Sequence, residues 1–370
     1  MKSDSKRIEY IDFIKGICIF LMVLGHTRSP FTSFIYLFHM AVFFMVTGYL
    51  WNGDKYVSIS GGGQYVLKKL KALWIPFFAG NAIFVLLNNE FVNVGIYADN
   101  NLPGQIADTY QIQSIHSIYD FYDIVKHLTK NLLFCGDTEL GGATWFFRTM
   151  FVVSTLWVLS WIVCNHLQKN HKKIFGIILS AFIAGLTWWI SVRSAKFPFG
   201  LHSVLAAFLA VEFGYAMKKM NIYRVICKKP IIATLSSTII LLIMNSCGRI
   251  SLNVGLITNP IYYMISSCAG FTLVLSLYFI IPSSIVQMFT FLGKRTISIV
   301  LLHFLCFKMI TFVYILSTGI DKRALAAFPV LPNKHLWPAY IVAGVGIPMF
   351  TTWIVQLLLT KLFVRKHDRG

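Results

Sequence analysis

The chain alternates long apolar runs with short polar connections. The runs have the length of a bilayer crossing, roughly 17–25 residues for a helix. Ten spans are predicted, at about 11–27, 34–51, 72–88, 144–164, 174–191, 199–217, 231–246, 259–281, 296–316 and 338–363. The sixth and seventh are the weakest, since 231–246 is short. The expected fold is therefore all-α: a polytopic membrane protein of about ten helices, forming one integral domain over 1–370.

The first span breaks the apolar pattern. From Asp12 to Thr27 it reads DFIKGICIFLMVLGHT, a membrane-length helix containing an acid, a lysine and a histidine. A charged side chain at the bilayer centre costs about 2.5–3.5 kcal/mol on insertion scales. Lys15 and His26 are eleven residues apart. At 3.6 residues per turn both project from one face, about 16 Å apart along the axis. Asp12, Ile19 and Met22 fall on the same stripe. That stripe is expected to face protein or a cavity rather than lipid.

Lysine and arginine asymmetry sets the orientation. With the N-terminus in the cytoplasm, the cytoplasmic segments carry 21 of the 33 basic residues and the outer segments 9. Lys15, Arg148 and Lys308 lie within spans. The split favours an even number of spans with both termini cytoplasmic. The one long polar segment, 89–143, then lies outside and holds Glu90, Asp99, Asp108, Asp120, Asp123, Asp137 and Glu139 against Lys126 and Lys130. Loops of that length are commonly lids or binding elements. The stretch DFYDIVKHLTKNLLF from Asp120 reads either as an amphipathic helix on the membrane surface or as a solvated loop.

Composition agrees. Hydrophobic residues make up 56%, charged residues 13%, and the mean hydropathy is +0.68. Soluble domains average about 25% charged residues. The net charge of +19 comes from short clusters between apolar spans. It is a topology signal, not a nucleic-acid footprint, so membrane lipid is the expected partner and nucleic acid is not. The seven cysteines show no metal-ligand spacing, and no metal is expected. Cys135 and Cys247 are the two that would face an oxidising compartment. The N-terminus lacks a cleavage site for a signal peptide. The chain ends seven residues after the last span, so no appended extracellular domain is expected. Nothing in the sequence speaks to oligomeric state.

Four histidines lie in or at apolar spans: His26, His39, His202 and His303. Histidine is the side chain best suited to accept and return a proton near neutral pH. An isolated membrane histidine usually reads as a hydrogen-bonded packing residue. His26 differs because a lysine and an acid share its face. His39 differs because the short connection 28–33 makes the first two spans antiparallel neighbours, which lets the two histidines face each other near the outer surface. Arg148 enters the fourth span from the outer side. It can bind a carboxylate, stabilise an oxyanion, or simply snorkel to the interface. His303 sits midway in the ninth span. Lys294 and Arg295 fit the positive-inside rule first and phosphate binding second. Glu212 is either a partner for Lys15 or an interfacial cap. Asp12 is either a charge partner for Lys15 or an acid favoured by the helix dipole.

Two segments, RIEYIDFIKGICIFLMVLGH and FIYLFHMAVFFMVTGYLW, resemble the opening of the acyltransferase 3 family of membrane acyltransferases. In that family a basic residue precedes a histidine by eleven positions, and a phenylalanine–histidine segment ending in serine–glycine–tyrosine follows. Here Lys15 stands where many members have arginine, as in the fucose 4-O-acetylase-like branch. Ala41 replaces the usual proline and Thr47 the usual serine, which keeps the hydroxyl. GGATWFFRTMFVV, AVEFGYAMKK and FLGKRTISIVLLH carry the resemblance along the chain.

The resemblance implies transfer of an acyl group, usually acetyl, from acyl-CoA to a carbohydrate hydroxyl at a bacterial cytoplasmic membrane. Acetyl-CoA, or another acyl-CoA, is then a donor substrate and no metal is used. His26 is the expected catalytic residue, as general base or as acyl carrier. Lys15 and Asp12 are expected at the donor, with His39, Arg148 and His303 lining the site. The acidic outer loop disfavours a polyanionic acceptor. The rival reading is a transporter or flippase for glycolipids or small metabolites, where buried charges mark a substrate path. Transporters commonly carry repeated halves with matching broken helices, and no such repeat is present. A third reading is an inert membrane partner of a polysaccharide assembly machine.

Overall fold

The computed structural model describes residues 8–136, 138–167, 169–193, 197 and 200–367. Lys2, Lys6, Arg7, Lys196 and Arg369, counted in the orientation argument, and the loop acid Asp137 lie outside the described residues. The fold is an all-α bundle. In chain order it runs through α1 (Glu9–Gly25), α2 (Thr32–Tyr36), α3 (His39–Tyr49) and α4 (Ile59–Leu86). Three short helices, α5 (Asn88–Asn93), α6 (Gly104–Tyr110) and α7 (Phe121–Leu132), follow. Then come α8 (Trp145–His166), α9 (Lys169–Arg193), α10 (Leu201–Lys219) and α11 (Ile222–Lys228). The chain closes with α12 (Pro230–Cys247), α13 (Pro260–Leu277), α14 (Ser283–Gly293), α15 (Thr296–Thr318) and α16 (Trp337–His367). A two-residue antiparallel pairing, Ile250–Ser251 with Leu256–Ile257, links α12 to α13.

Each of the ten expected spans falls on a helical segment. Among the described residues, eight of these segments are long and apolar enough to cross a membrane, counting Thr32–Tyr49 as one. The other two are α1, with Glu9, Asp12 and Lys15, and α10, with Glu212, Lys218 and Lys219. Polar residues set α10 apart from the rest; α1 combines its three charged residues with a length of only 17 residues, and it is buried along most of that length.

Three details differ from the sequence pattern. The second span is broken at Leu37 and Phe38, so His39 opens a new helix. Phe38 has a non-helical backbone and packs into the space left by Gly270 on α13. The third helix starts at Ile59, well before residue 72. Ser58 caps it by accepting from the Gly61 N–H at 3.1 Å. Its first turns look like loop because they are polar, yet Tyr65, Lys68, Lys69, Ala72 and Leu73 follow helical spacing and line one cavity. The long segment is folded: Asn88 donates to the Ser117 carbonyl (2.9 Å), and Asn89 donates to Tyr119 O and accepts from its N–H. Within it, Asp120 caps α7, which settles the amphipathic stretch as a helix. Phe121, Val125, Leu132 and Leu133 are exposed there, an apolar surface suited to a membrane interface.

Two backbone crossings set the centre of the bundle. On α1 and α14, a Cβ at Gly16 would overlap the Phe289 carbonyl, and one at Gly293 would overlap the Asp12 carbonyl. On α3 and α10, Gly48 meets the Val211 carbonyl and Gly214 meets the Met45 carbonyl in the same reciprocal way. In a bilayer, where lipid removes the hydrophobic drive between helices, small residues at a crossing let the backbones approach and gain packing energy. The seven cysteines are all free.

Gly48→Ala should destabilise the protein by about 1–3 kcal/mol through overpacking. Gly185→Ala, with open space around its Cβ position, should be neutral or mildly stabilising. Thermal unfolding in one detergent compares the two. Equal midpoints would remove the α3–α10 crossing from the account of stability.

Candidate active site

A cavity of about 1190 Å³ runs through the bundle between α1, α3, α4 and the starts of α8 and α15. One side of α1 lines it: Ile8, Ile11, Asp12, Lys15, Ile19, Met22 and His26. These spacings of three, four and one are the polar stripe seen in the sequence. The stripe faces the cavity because Gly16 turns another side of the helix against α14.

The Lys15 end of the cavity is cationic. Lys15 from α1, Lys55 from the turn before α4, Lys68 and Lys69 from α4, and Lys294 and Arg295 from the α14–α15 junction all line it. Asp12 is the one carboxylate among the described residues that line it. It is buried (4% exposed) and lies 3.5 Å from Lys15 Nζ. The charge pair is thus formed, and it explains how an acid is tolerated inside α1. Glu212 is not its alternative: it accepts from Ser180 Oγ of α9 at 2.6 Å. Arg295 stacks its guanidinium over the Phe291 ring at 3.8 Å, and its two terminal nitrogens donate to the Phe291 carbonyl and to Gln356 Oε1, each at 3.5 Å.

The opposite end is built from histidines and aromatic rings. His26 forms the C-cap of α1, where its backbone N–H donates to Val23 O at 3.1 Å. His39 lines the same cavity from the start of α3. Tyr36 stands between the two histidines, with ring centroids 6.5 Å from His26 and 5.3 Å from His39. The facing pair is therefore real but bridged by a tyrosine ring. Tyr36 closes α2, just before the break that precedes His39, and sequence reasoning missed it. His303 stacks on His26 at 5.6 Å, and Phe304 lies 5.0 Å from His26.

The buried histidines have assigned roles at one nitrogen. Nδ1 of His39 and Nδ1 of His303 lie 2.8 Å from the carbonyls of Ile35 and Ile299. A carbonyl only accepts, so each Nδ1 carries hydrogen and each neutral ring keeps Nε2 as an acceptor. His303 Nε2 has no hydrogen-bond partner among the described residues. His202 lies apart and bonds the Asn253 carbonyl at 3.0 Å.

Arg148 is placed elsewhere than beside His26. It lines a second pocket of about 340 Å³ with His116, Thr138, Glu139 and Trp145. Gly142, Trp145 and Phe328 line both spaces, so the two share a wall. Sequence reasoning missed the residues that hold this wall. Asn81, buried on α4, donates to Thr144 Oγ1 (3.0 Å) and accepts from Thr138 Oγ1 (2.8 Å), fixing the strand of chain that carries Gly142. Lys308, 2% exposed, donates to the carbonyls of Leu325 (3.0 Å) and Ala327 (2.9 Å), next to Phe328. A lysine within an apolar span was its only signal.

The arrangement offers a cationic mouth, an apolar shaft and a proton acceptor at the far end, next to a second chamber. No curated protein and no solved structure shows significant similarity to the chain. The acyltransferase domain family, in contrast, matches residues 8–356. That match runs from the first turn of α1 into α16 and takes in every residue of the cavity, and the chain belongs to the acyltransferase 3 family of membrane acyltransferases.

Proposed function

We propose that the protein is an O-acyltransferase that moves an acetyl or related acyl group from acyl-CoA to a hydroxyl of a cell-surface carbohydrate or its lipid-linked precursor, in a bacterial cytoplasmic membrane. The observation that carries the reading is the single cavity that joins six cations at one mouth to a histidine cluster at the other. Acyl-CoA is a cytoplasmic polyanion, and the charge asymmetry of the connections puts the cationic mouth on the cytoplasmic side. The phosphates bind among Lys15, Lys68, Lys69 and Lys294, while the pantetheine arm follows the apolar shaft beside Ile19 and Met22. From Lys15 to His26 the helix rises about 16 Å, a span suited to that arm.

His26 is the general base in this proposal. Its ring nitrogen takes the proton of the acceptor hydroxyl as the oxygen attacks the thioester carbonyl carbon. The C–O bond forms, the C–S bond breaks, and the proton passes from His26 to the departing CoA thiolate. His303 and His39 orient the neighbourhood through rings fixed at Nδ1. No metal takes part.

Membrane vesicles given labelled acetyl-CoA should move label into carbohydrate. His26→Ala, at matched expression, should lower transfer by about 10²–10⁴-fold, the usual weight of a general base. Retention of wild-type transfer would remove His26 from the chemistry. A label trapped on His26 after rapid quenching would replace the base with an acyl carrier. Absence of transfer by the wild type would favour a transport role, which substrate flux would then test.

Lys68→Gln combined with Lys294→Gln should raise the KM for acetyl-CoA several-fold with little change in kcat. The pair should also weaken the dependence of KM on ionic strength, because exposed charges act through a screened field. Unchanged KM at low salt would place the CoA phosphates elsewhere.

A further inference from the structure

The second chamber has no role in the donor path. It opens beside the wall formed by Gly142, Trp145 and Phe328, and His26 is reached from that wall by two ring contacts. Phe328 lies 4.8 Å from Phe304, and Phe304 lies 5.0 Å from His26. The chamber is lined by hydroxyl groups of Ser114 and Thr138, the indole of Trp145, the His116–Glu139 pair and Arg148. Hydroxyls and an indole face suit a polyhydroxylated ring.

The charges are not equivalent. Glu139 has a partner: its Oε2 lies 3.4 Å from His116 Nε2, and His116 stacks on Tyr97 at 4.1 Å. Arg148 has none among the described residues. Its Nε is fully buried without a hydrogen-bond acceptor, and its Nη2 packs against Gly200, which has no room for a Cβ there. A partly buried guanidinium without a carboxylate is costly unless something supplies the anion. Lipid snorkelling does not account for it, because the side chain lines a pocket walled by protein, with His116, Glu139 and Trp145 around it.

We propose that this chamber is the acceptor subsite and that it selects a hydroxylated acceptor bearing one anionic group, a phosphate or a carboxylate, which pairs with Arg148. The inference rests on the acyltransferase reading. A single anion is consistent with the acidic segment around the chamber, which disfavours a polyanion. The hydroxyl-bearing part of the acceptor then extends past Gly142, Trp145 and Phe328 into the main cavity, where it meets the thioester at His26, while Arg148 remains a binding residue and not a catalytic one.

The test uses the full-length protein in lipid nanodiscs, labelled acetyl-CoA, and the host's cell-envelope extract as acceptor. The labelled product should bind an anion exchanger at neutral pH. Loss of that binding after phosphatase or phosphodiester cleavage identifies phosphate, and loss after carbodiimide-directed reduction identifies a carboxylate. Arg148→Gln should raise the KM for extract roughly tenfold or more, the loss of a charge-assisted pair. Its KM for acetyl-CoA should stay unchanged, and Arg148→Lys should recover part of the acceptor affinity. The recovery and the split between substrates separate binding from a folding defect. A neutral product, or an Arg148→Gln enzyme with wild-type acceptor KM, overturns this proposal and leaves the acyltransferase reading standing. No labelled product from the wild type overturns both.

Discussion

The bundle depends on two close backbone crossings, α1 against α14 and α3 against α10. Each is made by a pair of glycines that sit under the opposite carbonyls. The consequence is rotational. With Gly16 pressed against Phe289, the side of α1 that carries Asp12, Lys15 and His26 points into open space between helices. With Gly48 pressed against Val211, the side of α3 that carries His39, Phe43 and Thr47 points into the same space. A polar stripe inside a membrane must be paired or solvated. The crossings meet that demand by making the cavity, so packing and site formation are one event.

Much of this was legible in the sequence because it is local. Helical spacing along one span put Lys15 and His26 on one face, and the short turn after it put His39 nearby. Other features were not legible because they depend on contacts between distant segments. The stacking of His303 on His26 joins α15 to α1. The cationic mouth draws on α1, the turn before α4, α4 and the α14–α15 junction, and Lys68 and Lys69 were hidden because the polar first turns of α4 resemble a loop. Arg148 shows the opposite limit. Its residue type suggested anion binding, but only the fold separates its chamber from that of His26. Asn81 carried no signal at all, since a single buried amide has no periodicity to betray it.

The wall between the chambers is made of short-range parts held by long-range bonds. Asn81 reaches from α4 to both sides of Gly142, through Thr138 and Thr144. Lys308 reaches from α15 to two carbonyls just before Phe328. Both are buried and polar, so each strongly favours the one arrangement that satisfies its donors. This is an economical way to give irregular backbone a fixed position inside a membrane protein, where unpaired carbonyls are expensive.

The histidines divide along the same line. His39 and His303 each commit Nδ1 to the carbonyl four residues before them, that of Ile35 on α2 and that of Ile299 on α15, which fixes ring orientation and tautomer. His26 lies past the last turn of α1, where its ring lacks such a bond among the described residues. A group that must gain and lose a proton during a reaction works best when neither state is locked by the protein. Two fixed rings around one uncommitted ring is an arrangement that supports assigning the proton transfer to His26.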